Sequence, residues 1–400
     1  MDCTASIVVC VNLLRRCITE NWSKPLSVPY ATMLLKNGWT LNKLLSKWGI
    51  DHRRGKEHPQ LVTLHYTDRS PMRSHLVQEC VGLTLDESNG WITVARPFDK
   101  FFHSGGAEAA TLDWKTVRVE ELLDGKLCSL YYYDGRWRIA SAYSPDAAEP
   151  AGGLSQDSLN ALFWKTWAAE KFDYPPVSLA HLTWLFCLTS PFTSKVVRHK
   201  QHHLTCLGLR HLKGVELKGD FQDLYPHTVE FELGSMDEVY RSFEQMDPTK
   251  QAGYVLTDLY FKRNIVRHPA FDVFRKPVPP WSLRKLADIV RHSEEPVGKF
   301  FPECRRAVVG LTDKVRLLAY EIEAVYWLHR DVVERKEFAL KVKDLPYSGV
   351  LFALRDGEIQ TAEAGLRIMP IDRLLSLVTP DEEDLVIDDG DPSVNDALGG

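Results

Sequence analysis

The residues with the richest chemistry fall into three clusters. Residues 198–211 hold His199, His202, His203 and His211, with Arg198, Lys200, Arg210 and Cys206 among them. Imidazole and thiolate bind zinc, but a zinc site needs its donors at fixed spacing on a common face with supporting groups behind them. Two strands and a turn suit this stretch better, leaving its bases to meet an anion or solvent. In the second cluster, Tyr131-Tyr132-Tyr133 is followed by Arg136, Trp137 and Arg138. Rings that stack on bases beside guanidiniums that hold phosphates are how single-strand binders work. Only alternate residues of a strand share a face, so core packing accounts equally well for Tyr132, or for Tyr131 with Tyr133. In the third, Arg96 and Lys100 flank Pro97-Phe98-Asp99 and lead into Phe101-Phe102. They can touch an RNA backbone or simply sit in solvent beside an aromatic core. No cysteine precedes an aromatic at a helix start, so a thiol protease is not expected. No metal site is expected either.

These side chains need a scaffold, and the hydrophobic pattern supplies one. Helices are predicted near Ile7–Thr19 and at Leu41–Trp48 with Thr40 as cap. From Leu61 to Phe274 the chain reads as short apolar runs between turn signals. Strands are expected at Leu61–Tyr66, Cys80–Leu85, Trp91–Val94, Leu127–Tyr133, Trp137–Ala142, His181–Leu188, Lys195–His199, Leu204–Leu209, Thr228–Leu233 and Tyr254–Leu256. Asp134-Gly135 is a hairpin turn. Leu159–Phe172 is a helix capped by Ser155 or Ser158. Pro277, Pro279 and Pro280 mark a boundary. Beyond it, helices are predicted at Leu286–Arg291, Glu303–Val309, Thr312–Arg335 and Arg335–Val342. Arg305, Arg306, Lys314, Arg316, Arg330, Arg335 and Lys336 read as a solvated face of these helices.

Four hundred residues exceed one ordinary core. The chain is 44% hydrophobic and 26% charged, which excludes a largely disordered protein. No apolar run reaches the roughly 18 residues that span a bilayer, and no secretory leader is evident, so a cytoplasmic protein is expected. Eight cysteines without a CxxC pair fit a reducing compartment. The final twenty residues carry eight acidic side chains and no basic one; without those eight, the formal charge of −5 becomes +3. A mildly basic body with an acidic disordered tail is therefore expected, and such a body is compatible with RNA. The end Ala397-Leu398-Gly399-Gly400 resembles what polyprotein processing leaves behind, and reads equally as a coincidental flexible end.

Three segments in order carry a resemblance: Glu79-Cys80-Val81-Gly82-Leu83-Thr84-Leu85-Asp86, then Ala95-Arg96-Pro97-Phe98-Asp99-Lys100-Phe101-Phe102, then Val119-Glu120-Glu121-Leu122-Leu123-Asp124-Gly125-Lys126-Leu127. Trp184–Leu188 with Pro191–Val197, Gly253-Tyr254-Val255, and Lys336–Ala339 with Gly349–Gly357 extend it. The set resembles the phage-type RNA ligases, within the covalent nucleotidyltransferases. The resemblance implies an α+β nucleotidyltransferase (ATP-grasp-like ligase) domain with antiparallel sheets around a groove, plus a mostly helical C-terminal domain. It gives four segments: an N-terminal helical extension at 1–56, the ligase-like domain at 57–278, the helical domain at 279–378 and the acidic tail at 379–400.

The family's chemistry starts with a lysine amine that attacks the α-phosphate of ATP. By resemblance that lysine's place is Leu122, which has no lone pair. The glutamate of the third motif falls on Cys187, and the metal-holding glutamate before Gly-Tyr-Val falls on Ala252. The Lys-x-Lys pair falls on Asn264 and Val266. Val81 stands where an arginine is usual, and Ser194-Lys195 where Asn-Arg is. The expectation is a ligase-fold pseudoenzyme that forms no lysyl-AMP and binds RNA or a protein partner. Its candidate nucleotide- or RNA-binding residues are Arg96, Lys100, Phe101, Asp124, Lys195, Lys262 and Arg263. Two alternatives stand beside it. One is an active ATP- and Mg²⁺-dependent ligase with Lys126 as displaced nucleophile. The other is a viral polyprotein-derived interaction protein, in a host cytoplasm, that keeps only the fold.

Overall fold

The protein is described by a computed structural model covering residues 27–152, 155–217, 224–274, 283–292 and 305–378. The helix expected at Ile7–Thr19, the proline boundary and the acidic tail lie outside the described residues. The chain divides into two compact units, one ending at His268 and the other starting at Pro269.

The first unit begins with α1 (Tyr30–Lys36) and α2 (Leu41–Trp48). The Thr40 hydroxyl accepts the Lys43 amide at 3.2 Å, the capping bond its position predicts. Gly49 ends α2 in the left-handed region at φ 60°. Next come β1 (Ile50–Arg54), β2 (Leu61–Tyr66), α3 (His75–Glu79), β3 (Val81–Asp86) and β4 (Ile92–Ala95), with the strands in sequential antiparallel order. The chain does not divide at residue 56, because β1 and β2 pair across it, Ile50 opposite Tyr66 and Arg54 opposite Val62. The Ile-Asp-His-Arg-Arg of β1 has no strand-like apolar pattern; its pairing with β2 makes it a strand. Leu44, Val62, Leu64, Val77, Leu83 and Leu85 form one core between this sheet and its helices.

Two five-stranded sheets build the rest of the unit. One has the order β11 (Glu216–Leu217), β10 (His203–His211), β9 (Leu182–Thr189), β7 (Lys126–Tyr133), β8 (Arg136–Ser141). The other has the order β12 (Glu230–Phe231), β6 (Arg118–Glu121), β13 (Gly253–Thr257), β14 (Arg263–Arg267), β5 (Phe102–His103). Among the described strands, β14 and β5 alone pair in parallel. The first of these sheets packs one face on α4 (Leu159–Ala169), burying Cys128, Leu130, Ile139, Trp184 and Phe186 with Phe163 and Trp167. Ser158 caps that helix through the Ala161 amide at 3.1 Å. The second packs Val119, Tyr254, Leu256 and Val266 on Val239 and Phe243, in and just after α5 (Met236–Ser242). The expected antiparallel α+β architecture is present.

The second unit is helical: α6 (Pro269–Phe274), α7 (Leu283–His292), α8 (Arg305–His329), α9 (Arg335–Val342), α10 (Ser348–Arg355), α11 (Ala362–Ile368) and α12 (Ile371–Leu377). Two expected helices merge into α8. Gly310 does not break it, because Leu311, Leu318 and Ile322 are buried along one side and fix the helix on its neighbours. Among the described residues no helix is long and apolar enough to cross a membrane.

Candidate functional site

The positions that should carry adenylate chemistry meet where β6 leaves its sheet. Val119 faces the core on α5, so alternation turns Arg118, Glu120 and Leu122 to the opposite side. The Leu122 amide donates to Gly253 O at 3.0 Å, which continues the β6–β13 ladder by one step. Gly253 in turn stands opposite Arg267 on β14. Leu122, Gly253 and Arg267 therefore form one row across the sheet. Ala252 lies beside this row, fully buried, with its carbonyl accepting the His268 amide at 3.0 Å.

Cys187 approaches from β9. A Cβ on Gly125 would sit 2.7 Å from its sulphur and 2.6 Å from Leu188 O, so only glycine fits at 125. Burial, with Asp124 and Glu121 nearby, pushes the Cys187 thiol up to about 12. It stays protonated at neutral pH and is no nucleophile.

Asn264 and Val266 do not join this group. Val266 packs with Phe243 and Tyr254 on the α5 side. Asn264 shares that face, and its amide is spent on the Ala110 backbone, accepting at 2.9 Å and donating at 2.8 Å. The opposite face of β14 carries Arg263, Ile265 and Arg267. The two positions expected to hold phosphate thus lie on the α5 face, away from Leu122 and Gly253. Any Lys-x-Lys frame laid on the opposite face gives Ile265 at one place and an arginine at the other. One cation remains where the sequence comparison left none. The Arg267 guanidinium bonds the His103 ring.

Lys126 points the wrong way for a displaced nucleophile. It pairs with Leu188 and alternates with Cys128 and Leu130, which face α4. Leu127 and Cys187 occupy the other face. Asp124 is equally committed: its Oδ2 accepts the amides of Lys195, Val196 and Val197 at 2.8, 2.7 and 2.9 Å. Those three successive bonds curl residues 195–197 around one carboxylate, so the strand expected at Lys195–His199 does not form. The Lys195 side chain is exposed there.

Five of the seven candidate binding residues line one cavity of about 460 Å³: Arg96, Lys100, Phe101, Lys262 and Arg263. Asp124 and Lys195 do not. Its arginines are matched by carboxylates. Arg96 Nη2 is 3.1 Å from Glu79 Oε1. Arg210 donates both terminal nitrogens to Asp99 at 2.8 Å. Arg263 reaches Glu216 at 2.6 Å. The lysines donate to neutral oxygens instead, Lys100 to Tyr66 Oη at 2.9 Å and Lys262 to Thr111 O at 3.3 Å. Their charges are left for a ligand. Sequence reasoning gave no role to Glu79, Asp99 or Glu216 and did not join Arg210 to this cavity, since no local signal joins partners this far apart along the chain.

Burial pushes the Glu79 carboxyl up to about 7 against the pull of Arg96. The folded chain then holds this proton more tightly than the unfolded chain. Stability contributed here is full near pH 4.5, falls as pH rises toward about 7 and is flat above. The expected result is a urea midpoint that declines across this window in the wild type and much less in Glu79→Gln. Equal slopes would refute the assignment.

The groove between the five-stranded sheets is nearly closed. Arg118 and Glu120 on one side and Cys206–Leu209 and Glu216 on the other leave about 50 Å³. Small-molecule sites run to roughly 300–1,000 Å³. Arg263 of β14 and Glu216 of β11 tie the two sheets together, and the Arg263 guanidinium lies 4.3 Å over the Phe98 ring. Leu122 offers no amine and the buried Cys187 thiol stays protonated, so neither side chain can carry a covalent nucleotide. The histidines also stay apart: His203 is 3.1 Å from Glu170 and His202 stacks on Phe192. Among the described residues no three His, Cys, Asp or Glu side chains form a metal cluster.

No family model matches the chain. An RNA ligase of Rhodothermus phage RM378 is 26% identical over 202 residues, 42% of this chain and 42% of the relative. Over that stretch the chain is similar to a phage RNA ligase. A protein of Autographa californica nuclear polyhedrosis virus, named as a bifunctional polynucleotide kinase/RNA ligase, is 31% identical over 123 residues, 28% of this chain and 17% of the relative. The chain thus spans less than half the length of either ligase relative. A solved archaeal ATP-dependent RNA ligase covers 85% of this chain and 83% of its own at 13% identity, with a TM-score of 0.41, and gives no residue correspondence.

Proposed function

We propose that this ligase relative is a pseudoenzyme: it binds RNA through the cavity carrying Lys100 and Lys262 and forms no covalent adenylate. The observation that carries the proposal is Leu122, an aliphatic side chain in the row with Gly253 and Arg267 where the chemistry requires an amine. The two lysines without carboxylate partners support the binding half. A second reading, an active ligase, draws on the names of its relatives and on the cation kept at Arg267. It needs an amine in the groove, and Lys126 faces α4.

The binding half is tested with a labelled single-stranded oligoribonucleotide. Affinity should fall steeply as salt rises, since each phosphate contact releases counterions. The double variant Lys100→Glu/Lys262→Glu should bind about tenfold or more weakly, with a salt slope smaller by roughly 1 to 2. An unchanged affinity and slope would place RNA elsewhere or nowhere.

A further inference from the structure

A second cavity, of about 410 Å³, lies between the residue 55–58 loop, β8 and the first turn of α4. Trp137 packs in the core under α4, on the side of the sheet opposite Cys187. β8 is the edge strand of its sheet and the cavity wraps that edge, with Trp137 on the α4 face and Arg136 and Arg138 on the other; it shares no lining residue with the cavity between the two five-stranded sheets.

Arg136 and Arg138 are two residues apart on β8 and share a face. Both reach one carboxylate oxygen, Glu57 Oε2, at 3.5 Å and 2.8 Å. Arg138 is only 13% exposed and held by the sheet, whereas Glu57 is 64% exposed on a loop. The held cation is Arg138, with the exposed Arg136 beside it, and the Glu57 carboxylate is the part that can leave. Arg138, then Arg136, holds the Glu57 carboxyl below its usual range. Arg138 Nη2 is buried without a hydrogen-bond partner, 3.9 Å from Asp134 Oδ2. Lys56 also lines the cavity, and no carboxylate pairs with its ammonium among the described residues.

The remaining wall is aromatic. Trp137 Nε1 donates to Pro175 O at 3.0 Å, and Tyr131 Oη to Pro145 O at 2.6 Å. Their polar atoms are used in the fold, so they offer the cavity ring surface only. Trp164, partly exposed, completes it. A ring surface beside one largely buried and one exposed guanidinium suits a base attached to a phosphate. An acidic peptide would use the guanidiniums and leave the rings idle. We propose that this cavity binds one nucleoside monophosphate unit. Its phosphate takes the place of the Glu57 carboxylate on Arg136 and Arg138, and its base lies against Trp164. The source is either a free nucleotide or one residue of an RNA strand. This inference stands whether or not the groove binds anything.

The full chain would be titrated with AMP and, separately, with a 5′-phosphorylated single-stranded oligoribonucleotide, following tryptophan fluorescence. Saturable quenching by either ligand, lost in Trp164→Phe, is expected. AMP alone would identify a free nucleotide, and the oligonucleotide alone an RNA residue. Arg136→Ala, at an exposed position, should weaken binding about tenfold. Glu57→Gln should tighten it severalfold by removing the resident carboxylate. The proposal is overturned if neither ligand quenches Glu57→Gln, if Glu57→Gln binds more weakly than wild type, or if only polyglutamate binds.

Discussion

Replacing Asp124 by alanine should cost about 3 kcal/mol of folding stability or more, although the residue belongs to what is a catalytic motif in the ligases. Asp124 is 8% exposed, and one of its oxygens accepts three consecutive backbone amides. Val196 and Val197, which supply two of them, are themselves buried. Alanine leaves those amides without a partner, and each stranded buried donor costs about 1–3 kcal/mol. A typical domain has only about 5–15 kcal/mol to lose. Asparagine can still present one acceptor oxygen and should recover more than half of the loss. Urea denaturation of Asp124→Ala and Asp124→Asn checks the order, and amide exchange at 195–197 should quicken in the alanine variant. A change below about 1 kcal/mol for alanine would show that the loop holds without its carboxylate.

This role explains why Asp124-Gly125 still matches the ligase pattern while Leu122 does not. Asp124 holds a loop and Gly125 lies against Cys187 and Leu188, so both are needed by the fold. The amine that Leu122 lacks is needed only by the reaction. Hydrophobic pattern and turn chemistry maintain a scaffold, whereas activity rests on a few polar groups placed upon it.

The same distinction separates what could be read from the sequence from what could not. Thr40 before Leu41–Trp48 and Ser158 before Leu159–Ala169 are local capping signals, and both bonds form. Asp134-Gly135 joins β7 to β8 as its turn chemistry requires. The β1 strand was illegible because its residues are polar and its partner supplies the pairing. Arg263-Asn264-Ile265-Val266-Arg267 alternates charge and apolarity too evenly to show which face of β14 is buried. Packing of Val266 on Phe243 settles it. The counter-charges Glu79, Asp99 and Glu216 lie on separate elements from the sites they neutralise, or many residues away, and only the fold brings them together.

The largest expected effect is also the simplest to observe: no covalent nucleotide on this chain. A ligase must store AMP on a nitrogen as a phosphoramidate before it can act. On the proposed reading, with Leu122 at the nucleophile's place, that step is blocked fully, so the expected yield is zero and not a reduced rate. Neither Lys126, facing α4, nor Cys187, buried with its thiol pushed up to about 12, can take over. The decisive measurement is incubation of the full chain with α-labelled ATP and Mg²⁺ or Mn²⁺, followed by denaturing electrophoresis. The account predicts no labelled band. A stable, acid-labile band at the mass of the chain would contradict it and would mean that an amine reaches the nucleotide by a route this fold does not reveal.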